Sequence, residues 1–178
     1  MVHVQVFRTE DAPDGLLGQA RALMDVAFDG DFGDDDWDHG LGGWHAVAVD
    51  GERVVSHAAV VARVLEVDGR PFPTGYVEAV ATDPGRHGQG IGSLVMEEIG
   101  DIIRRDHELG ALGTGRHAFY ERLGWERWAG PTYVRTTGGG LARTPEEDDG
   151  VMVLRFGPSE GIALDGTISC EERDGDDW

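Results

Sequence analysis

A mixed α/β fold, with a mostly antiparallel sheet flanked by helices, is what this sequence predicts. Three features point to it. Strand-like and helix-like stretches interleave in the order β-α-(α)-β-β-β-α-β-α-β. Two Asp-Gly turns, Asp50-Gly51 and Asp68-Gly69, join three consecutive apolar stretches into an antiparallel meander. A glycine-rich turn, Gly88 to Gly92, then leads into a strongly amphipathic helix.

Val2 to Phe7 alternates apolar and polar residues, the period of a strand. Leu16, Leu17, Ala20, Leu23, Met24, Ala27 and Phe28 follow helical spacing, and Asp29-Gly30 ends that helix. The aspartate-rich stretch with Trp37 reads as a loop or a short second helix. His45 to Val49, Val54 to Val67 and Thr74 to Ala81 are the strands of the meander. Ile91, Leu94, Val95, Ile99, Ile102 and Ile103 form the core-facing stripe of the next helix, with Gly110 as its end. Ala111-Leu112 is a very short strand, and His117 to Leu123 a short helix closed by Gly124. Strands follow at Thr132 to Arg135 and Val151 to Phe156, around a glycine-rich loop at 137–141. No repeat or linker divides the chain, so one domain is expected over residues 1–178.

The chain has 34 acids against 15 arginines and no lysine, a net charge of −19. That argues against nucleic acid, which needs a basic footprint. The acids cluster: Asp29 to Asp38, Glu146 to Asp149, and Glu171 to Asp177. Such blocks, where they converge, attract a cationic substrate; singly, they are as often solvated loop charge. One cysteine, Cys170, rules out an internal disulfide and fits a reducing, cytoplasmic setting. No signal peptide or membrane span is expected. Seven scattered histidines lack metal-ligand spacing, so no metal is expected.

A strand, a glycine turn and a helix N-terminus together make an anion site from backbone N–H groups. A Walker loop is excluded, because it requires a lysine. The dinucleotide pattern fails at Gly88, where the spacing is G-x-G-x-G. Gly113 to Ala118 does fit that pattern, but no acid follows at the ribose-binding offset, so the match reads as chance.

Arg86-His87-Gly88-Gln89-Gly90-Ile91-Gly92 instead resembles the acyl-CoA pyrophosphate loop of the GCN5-related N-acetyltransferases, with His87 where that family has Gln or Arg. Phe119-Tyr120-Glu121-Arg122-Leu123-Gly124-Trp125 resembles the family's later Tyr-helix motif. A closer resemblance runs from Phe28 to Trp178. Phe28-Asp29-Gly30-Asp31-Phe32, Asp36-Trp37, Gly75-Tyr76-Val77-Glu78, Arg143-Thr144-Pro145 and Gly175-Asp176-Asp177-Trp178 are similar to the aminoglycoside 2′-N-acetyltransferases.

The resemblance implies roles. Acetyl-CoA would lie along Val80, Ala81 and Thr82 and on His87, Gly88, Gln89, Gly90, Ile91 and Gly92. The antibiotic would meet Asp31, Asp36, Glu78, Ala79, Gly113, Glu147, Asp148, Asp176 and Trp178, so the acidic segment 165–178 belongs to the substrate site. Gly113 stands where relatives have a serine. Glu78 is the candidate base, directly or through water, because the attacking amine must be neutral. The Val80 N–H would face the reacting carbonyl oxygen, and Tyr120 would give the departing thiolate a proton. A homodimer is the family's expectation. Two other readings stand beside this one. One is acetylation of another amine: a polyamine, a peptide N-terminus or a mycothiol-pathway amine. The other is a non-enzymatic protein that binds the antibiotic or acetyl-CoA.

Overall fold

Hydrophobic alternation and the two Asp-Gly turns build the meander as expected. The computed structural model describes residues 1–178. In it the chain forms two units and enters each twice: Met1–Val61 with Val77–Ile102, and Ala62–Tyr76 with Ile103–Trp178.

The first unit begins with β1 (Val2–Arg8), which pairs antiparallel with β2 (Trp44–Asp50). In turn β2 pairs with β3 (Arg53–Val67), whose neighbour is β4 (Arg70–Thr82); each of these long strands gives one part to each unit. Helix α1 (Leu16–Ala27) buries Leu16, Ala20, Leu23 and Met24. They pack in one core with Phe7, Val47, Val49, Val54, Ala79 and Ala81. The aspartate-rich stretch is indeed a short helix, α2 (Asp34–His39). Helix α3 (Ile91–Asp106) follows the glycine turn. Its buried stripe is Ile91, Val95, Ile99, Ile102 and Ile103, widened by Met96. Leu94, expected in that stripe, is exposed, because it lies on the rim opposite Met96.

In the second unit the strands lie in the order β6-β9-β5-β4-β3-β10-β7-β8. They are β5 (Leu109–Gly113), β6 (Glu126–Arg127), β7 (Thr132–Arg135), β8 (Leu141–Arg143), β9 (Val151–Arg155) and β10 (Ile168–Glu171). Gly110 therefore sits within β5, and α3 stops four residues earlier than expected, at Asp106. A Cβ at Gly110 would meet Leu154, Trp125 and Ile103, so this glycine serves strand packing rather than helix termination. The glycine-rich loop after β7 is a hairpin whose return strand is β8. Helix α4 (His117–Glu121) carries Tyr120. Gly130 is needed for close approach: a Cβ there would stand 1.8 Å from the Gly166 carbonyl oxygen. No helix is long and apolar enough to cross a membrane.

Candidate active site

In the first unit, the end of β4 and the turn to α3 bring together Glu78, Ala79, Val80, Ala81, Thr82 and the loop from His87 to Gly92. Glu78 is half-buried, between the buried Val77 and Ala79. Ala79 has φ of +51°, a left-handed conformation inside a strand, which kinks β4 locally. The approach to the glycine loop is pinned. Asp83 accepts the Gly85 N–H at 2.9 Å, and Arg86 donates to Asp50 at 2.9 Å and to the Gln89 side-chain oxygen at 3.0 Å. His87 Nε2 donates to the Thr82 carbonyl at 3.0 Å, which draws the loop's first residue back against the strand end.

Gly88 and Gly90 take φ of +77° and +78°, and a Cβ at either would meet no atom within 4 Å. Ser93 and Leu94 N–H both donate to the Gly90 carbonyl, so the helical ladder begins there. The N–H groups ahead of it have no carbonyl one turn upstream. Positive-φ glycines, open space and the N-terminus of a 16-residue helix fit an anionic pyrophosphate.

Asp31 is exposed, and Asp36 accepts the Gly33 N–H at 2.8 Å at the start of α2. Asp36 therefore keeps one carboxylate oxygen in use within its own turn.

The second unit contains a cavity of about 480 Å³ lined by Gly113, His117, Glu147, Asp149, Asp176 and Trp178 among others, with no arginine in its wall. Four expected residues meet here: Gly113, Glu147, Asp176 and Trp178. Burial, then Asp176 and Glu146, push the Glu147 pKa above the usual carboxylate range. Clustered carboxylates of this kind are relieved by a bound cation. The Trp178 indole N–H is buried without a hydrogen-bond partner in the protein. A Cβ at Gly113 would lie 3.7 Å from the Tyr76 hydroxyl and 3.9 Å from Trp178, so this position leaves side-chain room in the wall.

Asp148 behaves differently from its neighbour. Arg143 grips both of its oxygens, and Thr132 donates to it from N–H and hydroxyl at 3.1 and 3.0 Å. Arg143 first, with Thr132, pulls its pKa down to about 2. Its carboxylate is engaged in holding the turn after β8. Sequence reasoning did not single out Asp149 or His117; the His117 Nε2 donates to the Asp149 carbonyl at 2.6 Å and closes one side of the cavity. Asp149 lay in the recognised acid block, but nothing local told which of its four members turn inward.

Asp176 and Trp178 are held in place by a buried cation that the sequence reading passed over. Arg63, whose side chain is 4% exposed, donates to the Asp177 carbonyl at 2.7 Å and the Glu171 carbonyl at 2.9 Å. Its guanidinium lies 4.7 Å from the Tyr76 ring centre, and that of Arg173 lies 5.6 Å from the same ring. Cys170, whose thiol is pushed up to about 11 by burial, donates to the same Asp177 carbonyl at 3.3 Å. An arginine inside an apolar strand was the available signal.

Tyr120 is buried, edge-on to Phe119 and Trp125. Burial pushes its pKa up to about 12, so the phenol holds its proton at neutral pH.

Comparison with known proteins agrees with this geometry. The model of the Acetyltransferase (GNAT) domain matches residues 9–128. An aminoglycoside 2′-N-acetyltransferase of Mycolicibacterium fortuitum is 41% identical, over 98% of this chain and 91% of the relative. Among solved structures, the GNAT family N-acetyltransferase YhbS of Escherichia coli, in complex with CoA, superposes with a TM-score of 0.69 at 20% identity, covering 98% of this chain and 93% of that one. A GNAT family acetyltransferase of Brucella melitensis, in complex with acetyl-CoA, gives 0.62 at 18% identity, over 93% and 94%. The fold, the glycine loop and these likenesses agree: the chain belongs to the GNAT acetyltransferase family.

Proposed function

We propose that this protein transfers the acetyl group of acetyl-CoA to the 2′-amine of aminoglycoside antibiotics and so confers resistance. The observation that carries the substrate class is the cavity lined by Glu147, Asp149 and Asp176 with no arginine in its wall. It suits a polycation and disfavours an anionic acceptor. The 2′ position is favoured by the 41% identity, over nearly the whole chain, to a relative of that name.

Backbone N–H groups at His87 to Gly92 would hold the pyrophosphate, and acetyl-CoA supplies the activated acetyl thioester. An acidic pocket raises the pKa of a bound ammonium, so the attacking nitrogen must be deprotonated locally. Glu78 takes that proton at its carboxylate, directly or through one water. The Val80 N–H donates to the reacting carbonyl oxygen as its charge grows. The Tyr120 hydroxyl gives its proton to the leaving sulfur. Glu147, Asp176 and Trp178 bind and orient the antibiotic, with Asp31, Asp36 and the Ala79 backbone as further contacts. Asp148 serves the fold of that wall rather than the ligand. The product amide carries one positive charge fewer, binds the acids more weakly and leaves. We further propose that the enzyme works in the cytoplasm and as a homodimer, the latter testable by sedimentation.

The deciding assay pairs acetyl-CoA with two aminoglycosides, one bearing a 2′-amine and one a 2′-hydroxyl, and reads free thiol and product mass. Acetylation of the 2′-amine compound alone is expected. No product from it overturns the proposal, and equal modification of both moves the reaction to another position on the drug.

A further inference from the structure

Two histidines that the mechanism does not use, His45 and His57, are fully buried in the first unit. They form a continuous hydrogen-bonded chain from the β1 end to Ala79 of β4. Gly42 N–H donates to Thr9 Oγ1 at 2.9 Å; Thr9 Oγ1 lies 2.7 Å from His45 Nε2. His45 Nδ1 lies 2.9 Å from His57 Nε2, and His57 Nδ1 lies 2.7 Å from the Ala79 carbonyl oxygen. A carbonyl only accepts, so His57 carries its proton on Nδ1. Its Nε2 then accepts from His45 Nδ1–H, and His45 Nε2 accepts from the Thr9 hydroxyl. With both rings neutral, every donor has one acceptor. A second proton on His57 would set two N–H groups against each other, and one on His45 would turn the Thr9 hydroxyl from its 2.7 Å contact to the longer one with the Gly43 carbonyl at 3.4 Å. Burial pushes the His45 pKa down to about 4 and that of His57 to about 3, in keeping with neutral rings.

The chain ends on the strained residue of β4. Ala79 is one of three non-glycine residues with positive φ; the others, Asp29 and Asp68, are aspartates in turns, where that conformation is better tolerated. The carbonyls of Ala79 and Ala81 are each held by a β3 side chain, His57 and Ser56 respectively. The Ala79 methyl lies at the end of α2, 3.5 Å from where a Cβ on Gly40 would stand, and the Trp37 ring of α2 lies tilted against His57, with centroids 5.6 Å apart. A peptide with its carbonyl fixed at Ala79 fixes the Val80 N–H on the other side of the same planar unit, and the residue before it is Glu78. We infer that His57, backed by His45 and Thr9, is a positioning residue that locks the left-handed backbone at Ala79 and thereby aims the Glu78 carboxylate and the Val80 N–H. This rests on the acetyl-transfer reading above.

The test compares the unaltered protein with His57→Leu and His57→Gln. Leucine fills the space but removes both hydrogen bonds; glutamine can still donate to Ala79 and accept from His45. For His57→Leu, kcat should fall about 100-fold, with acetyl-CoA affinity changed by less than about threefold, since small misplacements of reacting groups cost that much. His57→Gln should recover at least about tenfold of the loss. A folded His57→Leu protein with unchanged kcat, or equal loss in both variants, overturns the inference. Proton–nitrogen correlation spectra of the unaltered protein supply a readout independent of turnover and of variant folding. Both rings should show the neutral Nδ1–H tautomer, and an Nε2–H tautomer or a cation on either ring overturns the inference. An unaltered protein that acetylates no aminoglycoside defeats the proposed function instead, while the spectra still judge the hydrogen-bonded chain.

Discussion

Acidification should destabilise this protein well before its carboxylates are protonated. His45 and His57 are depressed to about 4 and about 3 by burial, against an ordinary value of 6.5. The unfolded chain then binds two protons that the folded chain refuses, so stability is full above about pH 6.5 and declines as pH falls through the window below it. At about pH 5 each ring lies ~1.5 units below its unfolded pKa, worth about 2 kcal/mol per ring and ~4 kcal/mol for the pair. The figure hardly depends on the folded values, provided that both lie below about 4.5. His107, also lowered, acts in the same direction. Glu147, raised, opposes it near the carboxylate range. The depressed carboxylates Asp50, Glu126, Asp148 and Glu172 lose their contributions only below about pH 4.5, outside the window. Urea unfolding at about pH 7.5, 6 and 5 measures the effect directly, and against a total of about 5–15 kcal/mol it is large. In His57→Gln about half of the slope should vanish. Stability flat to about 1 kcal/mol across that range, or a slope untouched by His57→Gln, refutes the reasoning.

Other outcomes follow from the two units. Tyr120→Phe should lower kcat by about tenfold or more while leaving acetyl-CoA affinity, measured by calorimetry, unchanged; an unaltered rate removes its proton from the mechanism. Glu147→Gln should raise the antibiotic KM with little change in Tm, most strongly at low salt, whereas Asp148→Asn should lower Tm and leave KM nearly unchanged. The reverse pattern would exchange their roles. Arg63→Met should cost about 3 kcal/mol in urea unfolding and expose the last residues to limited proteolysis, because the Glu171 and Asp177 carbonyls lose a buried cation. Protease resistance equal to that of the parent would mean that the segment docks without it.

Most elements were legible because their signals are local. The Asp-Gly turns announced the meander, and the helical stripe announced α3. Strand β10 was not, since it is four residues long in an acidic segment and pairs with β7 and β3, both remote in sequence. Leu94 was misread because helical spacing gives a stripe but not its edges. The glycine loop was legible since its chemistry is backbone chemistry at fixed spacing. The acid blocks pointed to a cationic ligand, but which of Glu147 and Asp148 lines the cavity depended on Arg143 and Thr132, whose reach only the fold determines. The His45–His57 pair was invisible, because twelve residues and a turn separate the two and strand register alone joins them.

Ala79 carries a consequence for how this protein can change. A β-carbon in the left-handed region costs about 1 kcal/mol, which glycine would not incur. Selection for stability alone would therefore favour Ala79→Gly, a one-base change from any alanine codon. Glycine would also let the peptide between Glu78 and Val80 turn more freely, so a sturdier protein would be a blunter catalyst. Directed evolution for heat resistance and for antibiotic resistance should part company at this residue, the first drifting to glycine and the second keeping alanine.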